Sequence, residues 1–152
     1  MGKLCSAILV IVLAIPCAAQ APSNPPVPRF EDITQQAGLT VPHLSTPEKR
    51  YIVESMSGGV GFIDCDNDGK LDIITVNGSS VDRYREGGDP MITLYHQEGD
   101  LKFKDITKEA GLTTKGWGMG VAVADFDNDG QLDIYVTGYG GNVLYRDRKS
   151  VV

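Results

Sequence analysis

The chain has 152 residues, of which 14 are basic and 20 are acidic, and its formal net charge is −6. This length is sufficient for one domain with a hydrophobic core. The acidic excess and the lack of a basic cluster argue against a nucleic-acid-binding protein, because such proteins neutralise phosphates with Lys and Arg.

The N-terminus has the pattern of a secretory signal. A basic residue, Lys3, precedes an apolar run at residues 4–15, and small residues follow at 17–19. We therefore predict a signal peptide over residues 1–19 and a secreted, periplasmic or cell-surface protein. The apolar run is shorter than the roughly 20 residues of a membrane helix, so we expect no membrane span after signal removal. A buried N-terminal helix and a lipoprotein acylated at Cys17 are the alternatives.

Cys65 is the only cysteine that remains once residues 1–19 are removed. An intramolecular disulfide would then be impossible, so an exported domain of this size would need another source of stability. The second copy of the acidic loop described below has Phe126 at the same position. We therefore expect Cys65 to be a small, buried apolar residue.

A proline-rich segment at residues 20–29 has no apolar periodicity and is predicted to be a flexible linker. Beyond it, the motif F-x-D-I-T-x-x-A-G-L occurs twice, at residues 30–39 and 103–112. Each copy predicts one helical turn with Thr as its N-cap and Gly at its end. The duplication defines a first repeat, residues 30–102, and a second, truncated repeat, residues 103–152.

The sequence D-x-D-N-D-G-x-L-D also occurs twice, at residues 64–72 and 125–133. Carboxylates at alternate positions of a tight turn can converge on one point, which suits calcium because this cation takes six to eight oxygen ligands. The glycine lets the backbone reverse its direction. Aspartates held so close repel one another unless a cation neutralises them. The sequence therefore predicts two calcium-binding loops.

Short runs of β-branched and aromatic residues flank both loops and predict strands. The predicted strands occupy residues 59–63, 71–76, 91–95, 120–124, 132–137 and 142–145. Both loops thus connect strand to strand, and we expect an all-β fold. The first loop begins 34 residues after the first residue of its motif and the second only 22, so an insertion of 12 residues is predicted near residues 42–55. Such insertions lie in loops on one face of a repeat array.

An EF-hand is the main alternative for an acidic loop of this kind. It requires an acidic residue at loop position twelve and a helix on each side. Position twelve is Thr75 in the first loop and Val136 in the second, and both lie in predicted strands. The EF-hand is therefore excluded, and a dockerin-like module is excluded for want of flanking helices.

The two motifs, in this order, resemble the FG-GAP or VCBS-type repeats of β-propellers, and the Leu-Tyr pairs that follow resemble secreted proteins carrying an ASPIC/UnbV domain. The resemblance covers about residues 30–146. It implies propeller blades with calcium loops that are ligated by side chains at positions one, three, five and nine and by the carbonyl at position seven. The implied ligands are Asp64, Asp66, Asp68, Asp72 and the Lys70 carbonyl in the first loop, and Asp125, Asp127, Asp129, Asp133 and the Gln131 carbonyl in the second.

The same resemblance implies a function. A closed propeller has about four to eight blades, so two repeats predict an incomplete propeller and an N-terminal fragment with an unpaired edge strand. We expect a secreted scaffold that binds an unknown protein or carbohydrate ligand, with Ca²⁺ as a structural ion and no enzyme activity. One alternative is a supporting propeller portion of a larger secreted enzyme, since propellers also host active sites. A purely adhesive surface protein is another.

The remaining features are interpreted structurally. His43 and His96 are expected to be surface or loop residues, because no nucleophile and orienting acid stand out as their catalytic partners. The glycines of residues 116–120 precede a strand rather than a helix, which argues against a phosphate-binding loop. They are expected to allow close approach between blades, with Trp117 packed there. Tyr84 is expected in a solvated loop, and Asn77 begins a formal glycosylation sequon.

Overall fold

The computed structural model describes residues 27–43, 45–46, 48–49 and 51–147. The chain divides into two units, Met1–Glu31 and Asp32–Val152, and every helix and strand named below lies in the second. The predicted signal peptide and the first part of the predicted linker lie outside the described residues. Residues 27–29 are exposed and have no regular structure. No helix within the described ranges is long and apolar enough to cross a bilayer.

The described residues form mainly antiparallel strands, which confirms the all-β prediction. The helices are α1 (Thr34–Ala37), a 3₁₀ helix (Ile52–Ser55) and α2 (Val81–Arg85). The strands are β1 (Val60–Ile63), β2 (Asp72–Val76), β3 (Asp89–Pro90), β4 (Ile92–Gly99), β5 (Lys102–Asp105), β6 (Lys115–Gly116), β7 (Gly118–Ala124), β8 (Asp133–Gly138) and β9 (Val143–Tyr145).

Two sheets account for most of these strands. The first sheet has the order β1-β2-β4-β5, and the second sheet has the order β7-β8-β9; β3 and β6 form a separate short pair. Each acidic loop joins the first two strands of its sheet, as the sequence predicts. The registers are equivalent, since Ile73 of β2 pairs with Tyr95 of β4, and Ile134 of β8 pairs with Tyr145 of β9.

The hydrophobic core lies between the facing sides of the two sheets. Its buried members are Ile63, Ile74, Val76, Met91, Ile92, Leu94, Leu112, Ile134 and Val136. Alternate residues of β2 and β8 enter this core because successive side chains of a strand point to opposite faces. Gly61 of β1 lies close to the second sheet, since a Cβ atom there would be 3.3 Å from Cγ1 of Val121 in β7.

The sequence repeats and the sheets are offset from each other. Strand β5 carries Phe103, the first residue of the second repeat, yet it pairs with β4 in the first sheet. The repeat boundary at residue 103 therefore falls inside the first sheet. The offset follows from the register, because β5 is the antiparallel partner of the strand that immediately precedes it.

The prediction that Thr is the N-cap of the helical turn is wrong, because Thr34 is the first residue of α1 and the N-cap is Ile33, which makes no side-chain capping bond. The aspartate of the motif binds the Thr backbone instead. Asp32 Oδ1 accepts a hydrogen bond from Thr34 N at 3.0 Å, and Asp105 Oδ1 accepts one from Thr107 N at 2.9 Å. The first copy forms α1 and ends at Gly38, whose φ is 86°. The second copy is only a hydrogen-bonded turn, in which Thr107 Oγ1 accepts from Leu94 N at 2.9 Å.

The predicted insertion near residues 42–55 is tied to the rest of the fold by Glu54, which is only 3% exposed. Its carboxylate accepts hydrogen bonds from Thr46 N at 2.6 Å and from Val81 N at 2.9 Å. Thr46 Oγ1 donates to the same carboxylate. These bonds, above all the one from the Thr46 hydroxyl, hold the pKa of Glu54 below its usual range. Glu54 therefore connects the insertion to the start of α2.

We expect Glu54→Gln to lower the urea midpoint of unfolding at neutral pH, because the amide cannot accept all the bonds that the carboxylate accepts. A group whose pKa is lowered by folding stabilises the protein above its unfolded pKa, here about 4.3, and this stabilisation disappears as the pH falls through the folded value. The midpoints of wild type and variant should therefore converge progressively as the pH falls below the unfolded pKa and through the lower folded pKa. Urea titrations at several pH values test this, with the exposed Glu48→Gln as the control.

An aromatic cluster forms around Trp117, which is 1% exposed. Its ring centroid lies 6.0 Å from that of Tyr84 and 5.9 Å from that of Tyr139. Tyr84 belongs to α2 and packs in this cluster, so the prediction of a solvated loop is wrong. The predicted packing of Trp117 beside closely approaching glycines is confirmed, since a Cβ atom on Gly118 would lie 2.4 Å from Met91 O.

Gly118→Ala is expected to destabilise the protein by about 3 kcal/mol or more, at the upper end of overpacking effects. The added methyl would meet Met91 O, as well as Val76 Cγ1 at 2.7 Å and Asn77 O at 3.0 Å, and a backbone carbonyl cannot rotate away. Gly141→Ala is the matched control, because a Cβ atom there has no neighbour within 4 Å among the described residues. Similar losses of stability in both variants would contradict this account of the close approach.

Asn77 has a structural role that its sequon does not reveal. Its Nδ2 donates to Pro90 O at 3.0 Å and to Thr93 Oγ1 at 2.9 Å, and Ser79 of the sequon is buried. Both amide hydrogens are therefore used in holding the loop after β2 against β4. An amide bound in this way is a poor glycosylation acceptor in the folded protein.

Candidate metal centres

The two acidic loops have the same backbone conformation. Asn67 and Asn128, at position four, have φ values of 58° and 59°, and Gly69 and Gly130, at position six, have values of 83° and 86°. These are left-handed conformations, which Gly adopts freely and Asn adopts more readily than most residues. Neither glycine is required for space, because a Cβ atom at Gly69 or Gly130 would have no neighbour within 4 Å among the described residues. The pattern N-x-G that both loops share is thus explained by backbone geometry.

The aspartate at position one organises each loop from within. Asp64 accepts hydrogen bonds from the backbone N–H groups of Asp68 and Gly69, both at 3.0 Å. Asp125 makes the equivalent bonds to Asp129 N at 3.0 Å and Gly130 N at 2.8 Å. The loop therefore closes around a carboxylate in the same way in both sheets.

The aspartate at position nine is buried and joins the loop to the third strand of its sheet. Asp72 is 1% exposed; its Oδ2 accepts from Cys65 N at 3.1 Å and its Oδ1 from Gln97 N at 2.8 Å. Asp133 is 2% exposed and accepts from Phe126 N and Asp147 N, both at 3.0 Å. Sequence reasoning identified this residue as a ligand and missed its function as a hydrogen-bond anchor.

Electrostatics favour the ionised form of Asp72. Burial of the carboxyl tends to raise its pKa, but hydrogen bonds from the Cys65 thiol and from the backbone N–H groups of Gln97 and Cys65 outweigh this and lower it. Cys65 itself is half-buried against the core, and burial together with the Asp72 carboxylate raises the pKa of its thiol to about 12. Cys65 is thus a protonated, packed thiol, in agreement with the apolar role expected for it.

The predicted ligands are only partly gathered together. In the second loop, carboxylate oxygens of Asp125, Asp127 and Asp133 lie within 4.8 Å of one another. In the first loop, oxygens of Asp66 and Asp68 are grouped at this distance with a ring nitrogen of His96. The remaining carboxylates, Asp64 and Asp129, lie in the loops outside these groups. Lys70 and Gln131 occupy position seven of their loops, where the backbone N–H of each donates to the aspartate at position five. A second group near the first loop comprises Cys65, Asp72 and His96.

Basic side chains lie against the exposed carboxylates of both loops. The Lys70 ammonium contacts Asp68, and this contact lowers the pKa of the Asp68 carboxyl. The Arg146 guanidinium lies 2.5 Å from Asp127 Oδ2 and 3.2 Å from Asp129 Oδ2. These cations offset part of the repulsion that the clustered aspartates would otherwise experience.

His96 and Arg146 occupy equivalent positions, which sequence reasoning missed. Tyr95 pairs with the residue that follows Asp72, and Tyr145 pairs with the residue that follows Asp133. His96 and Arg146 come directly after these tyrosines, so each lies beside the buried aspartate of its own loop. The prediction that His96 is a surface or loop residue is wrong, because it lies in β4 and its Nδ1 is 3.1 Å from Asp72 Oδ1. The available signal was the recurrence of Leu-Tyr before both residues.

The loops lie near each other in the fold. A cleft of about 400 Å³ is lined by Asp64 and Asn67 of the first loop and by Gly130 and Gln131 of the second, above an apolar floor that includes Leu94. The carboxylates and carbonyls of each loop are oxygen donors, the kind of ligand that a hard divalent cation such as Ca²⁺ takes.

Two antiparallel sheets, each with an acidic loop between its first two strands, have the architecture expected of β-propeller blades. Residues 64–136 match the family model of the FG-GAP-like repeat. This segment extends from the start of the first acidic loop into β8, and it supports the FG-GAP part of the resemblance. No curated protein matches the chain.

Proposed function

We propose that this chain is the calcium-stabilised propeller region of an exported binding scaffold. The observation that carries the proposal is that both loops have the same geometry. Residues at positions four and six are left-handed in both, and the aspartates at positions one and nine accept equivalent backbone hydrogen bonds. A turn with surface acids alone would not require the same pair of backbone conformations twice.

Calcium has a structural role in this proposal. Side chains at positions one, three, five and nine and the carbonyl at position seven hold the ion, which neutralises the carboxylates. Binding to the folded state alone adds its free energy to folding. In the first loop these residues are Asp64, Asp66, Asp68, Asp72 and Lys70; in the second they are Asp125, Asp127, Asp129, Asp133 and Gln131.

The binding role rests on the FG-GAP-like repeat and on the cleft between the loops, whose apolar floor and polar rim suit a protein or carbohydrate ligand. Export rests on the signal pattern of residues 1–19, and no catalytic activity is assigned to the chain.

Isothermal titration of metal-stripped protein with CaCl₂ tests the metal part of this proposal. We expect two equivalents of calcium per chain and weaker binding of Mg²⁺, which requires a smaller octahedral site. The absence of binding would refute it. Screening labelled protein on a carbohydrate array, with calcium and with chelator, tests the binding role. If the binding signals are the same in chelator, carbohydrate binding does not depend on the metal-loaded loops.

A further inference from the structure

The two loops differ at one structurally equivalent position beside them. In the first sheet it holds His96, and in the second it holds Arg146. An imidazole can donate a nitrogen lone pair to a metal, whereas a guanidinium remains protonated and has none to donate. The loops themselves differ only at positions two and seven, where Cys65 and Lys70 stand in place of Phe126 and Gln131. His96 is the difference that brings an imidazole nitrogen to the loop carboxylates.

The structure orients His96 as metal-binding histidines are commonly oriented. Its Nδ1 lies 3.1 Å from Asp72 Oδ1, and Asp72 is itself held by Gln97 N and Cys65 N. A carboxylate bound to one ring nitrogen fixes the tautomer and the ring orientation and makes the other nitrogen the ligand. In this arrangement Nε2 is that nitrogen.

The ligands for such an ion are already close together. Oxygens of Asp66 and Asp68 and a ring nitrogen of His96 lie within 4.8 Å of one another. The alternative group, Cys65 with Asp72 and His96, would place an ion between Asp72 and the His96 Nδ1 that already contacts it. An ion at the loop leaves that contact intact and would take the place of the Lys70 ammonium on Asp68.

We propose that the first loop binds a borderline divalent transition metal such as Zn²⁺ through Asp66, Asp68 and His96, in preference to Ca²⁺. The second loop, with Arg146 in place of the histidine, keeps an all-oxygen donor set. Imidazole nitrogen favours zinc and its neighbours, whereas calcium takes oxygen ligands. This selectivity rests on the proposed function in one respect, namely that the loops are cation sites. In the absence of transition metals, calcium occupies both loops.

Nitrogen NMR of the whole chain labelled with ¹⁵N-histidine tests the proposal. The sequence has two histidines, so His43 is an internal control. One equivalent of Zn²⁺ should shift the Nε2 signal of His96 and leave His43 unchanged, and equimolar Ca²⁺ should not displace it. His96→Gln keeps a donor for Asp72 and should weaken zinc binding about tenfold or more while calcium affinity remains within about twofold.

Two further variants sharpen the result. Arg146→His should create a second zinc site, and Cys65→Ala should leave the first unchanged. Unshifted His96 signals, unchanged zinc affinity in His96→Gln or loss of zinc binding in Cys65→Ala would overturn the proposal. If the zinc results are negative but two equivalents of calcium still bind, the zinc proposal fails and the proposed function stands. If neither zinc nor calcium binds at either loop, both proposals fail.

Discussion

Asp72→Ala should destabilise the protein strongly even in the presence of a chelator. The substitution removes the acceptor for Cys65 N and Gln97 N, and each buried N–H left without a partner costs about 1–3 kcal/mol. The loss therefore does not depend on metal. Urea unfolding in EDTA measures it directly.

Asp66→Ala is the matched control within the same loop. Asp66 is exposed and its removal relieves repulsion among the carboxylates, so its effect in chelator should lie within about 0.5 kcal/mol of zero or be stabilising. In calcium both variants also lose the contribution of the metal bound by the first loop, so Asp66→Ala becomes destabilising and Asp72→Ala remains the more destabilising of the two. Equal losses in chelator for the two variants would contradict the anchoring role assigned to position nine.

Asp64→Ala is expected to remove one of the two calcium equivalents and leave the other. The bonds that Asp64 makes to Asp68 N and Gly69 N lie within the exposed loop, so water can replace them and the fold should persist. Asp125→Ala should likewise remove the calcium ion of the second loop and leave that of the first. Metal content of the dialysed variants, measured by atomic emission, tests the prediction. Loss of both ions in either single variant would show that the loops do not bind independently.

The sequence predicted the local structure well, because that structure depends on neighbouring residues. The strands on both sides of each loop agree with the predicted limits to within two residues, and Trp117 is buried as expected. The left-handed positions of the loops also follow from Asn and Gly in the motif itself. In these segments, the β-branched runs favour strands and the turn residues favour turns, in agreement with the structure that the chain adopts.

Features that depend on register between distant strands could not be predicted in this way. The position of His96 and Arg146 beside the loops follows from β4 and β9 pairing with the strand after each loop, which no local pattern specifies. The burial of Glu54 depends likewise on a contact with Val81, 27 residues away. A buried acid in an insertion resembles any solvated loop acid until its partners are known.

The most direct test of the account is thermal unfolding in calcium and in chelator, followed by the fluorescence of Trp117, the only tryptophan in the chain. At 100 times the dissociation constant, one site adds about 2.7 kcal/mol. One kcal/mol corresponds to a shift in Tm of about 2–4 °C for a chain of about 150 residues, and the contributions of the two sites add. We therefore predict that calcium raises the Tm by at least about 10 °C. An identical Tm in calcium and in EDTA would contradict the claim that these loops stabilise the fold by binding metal.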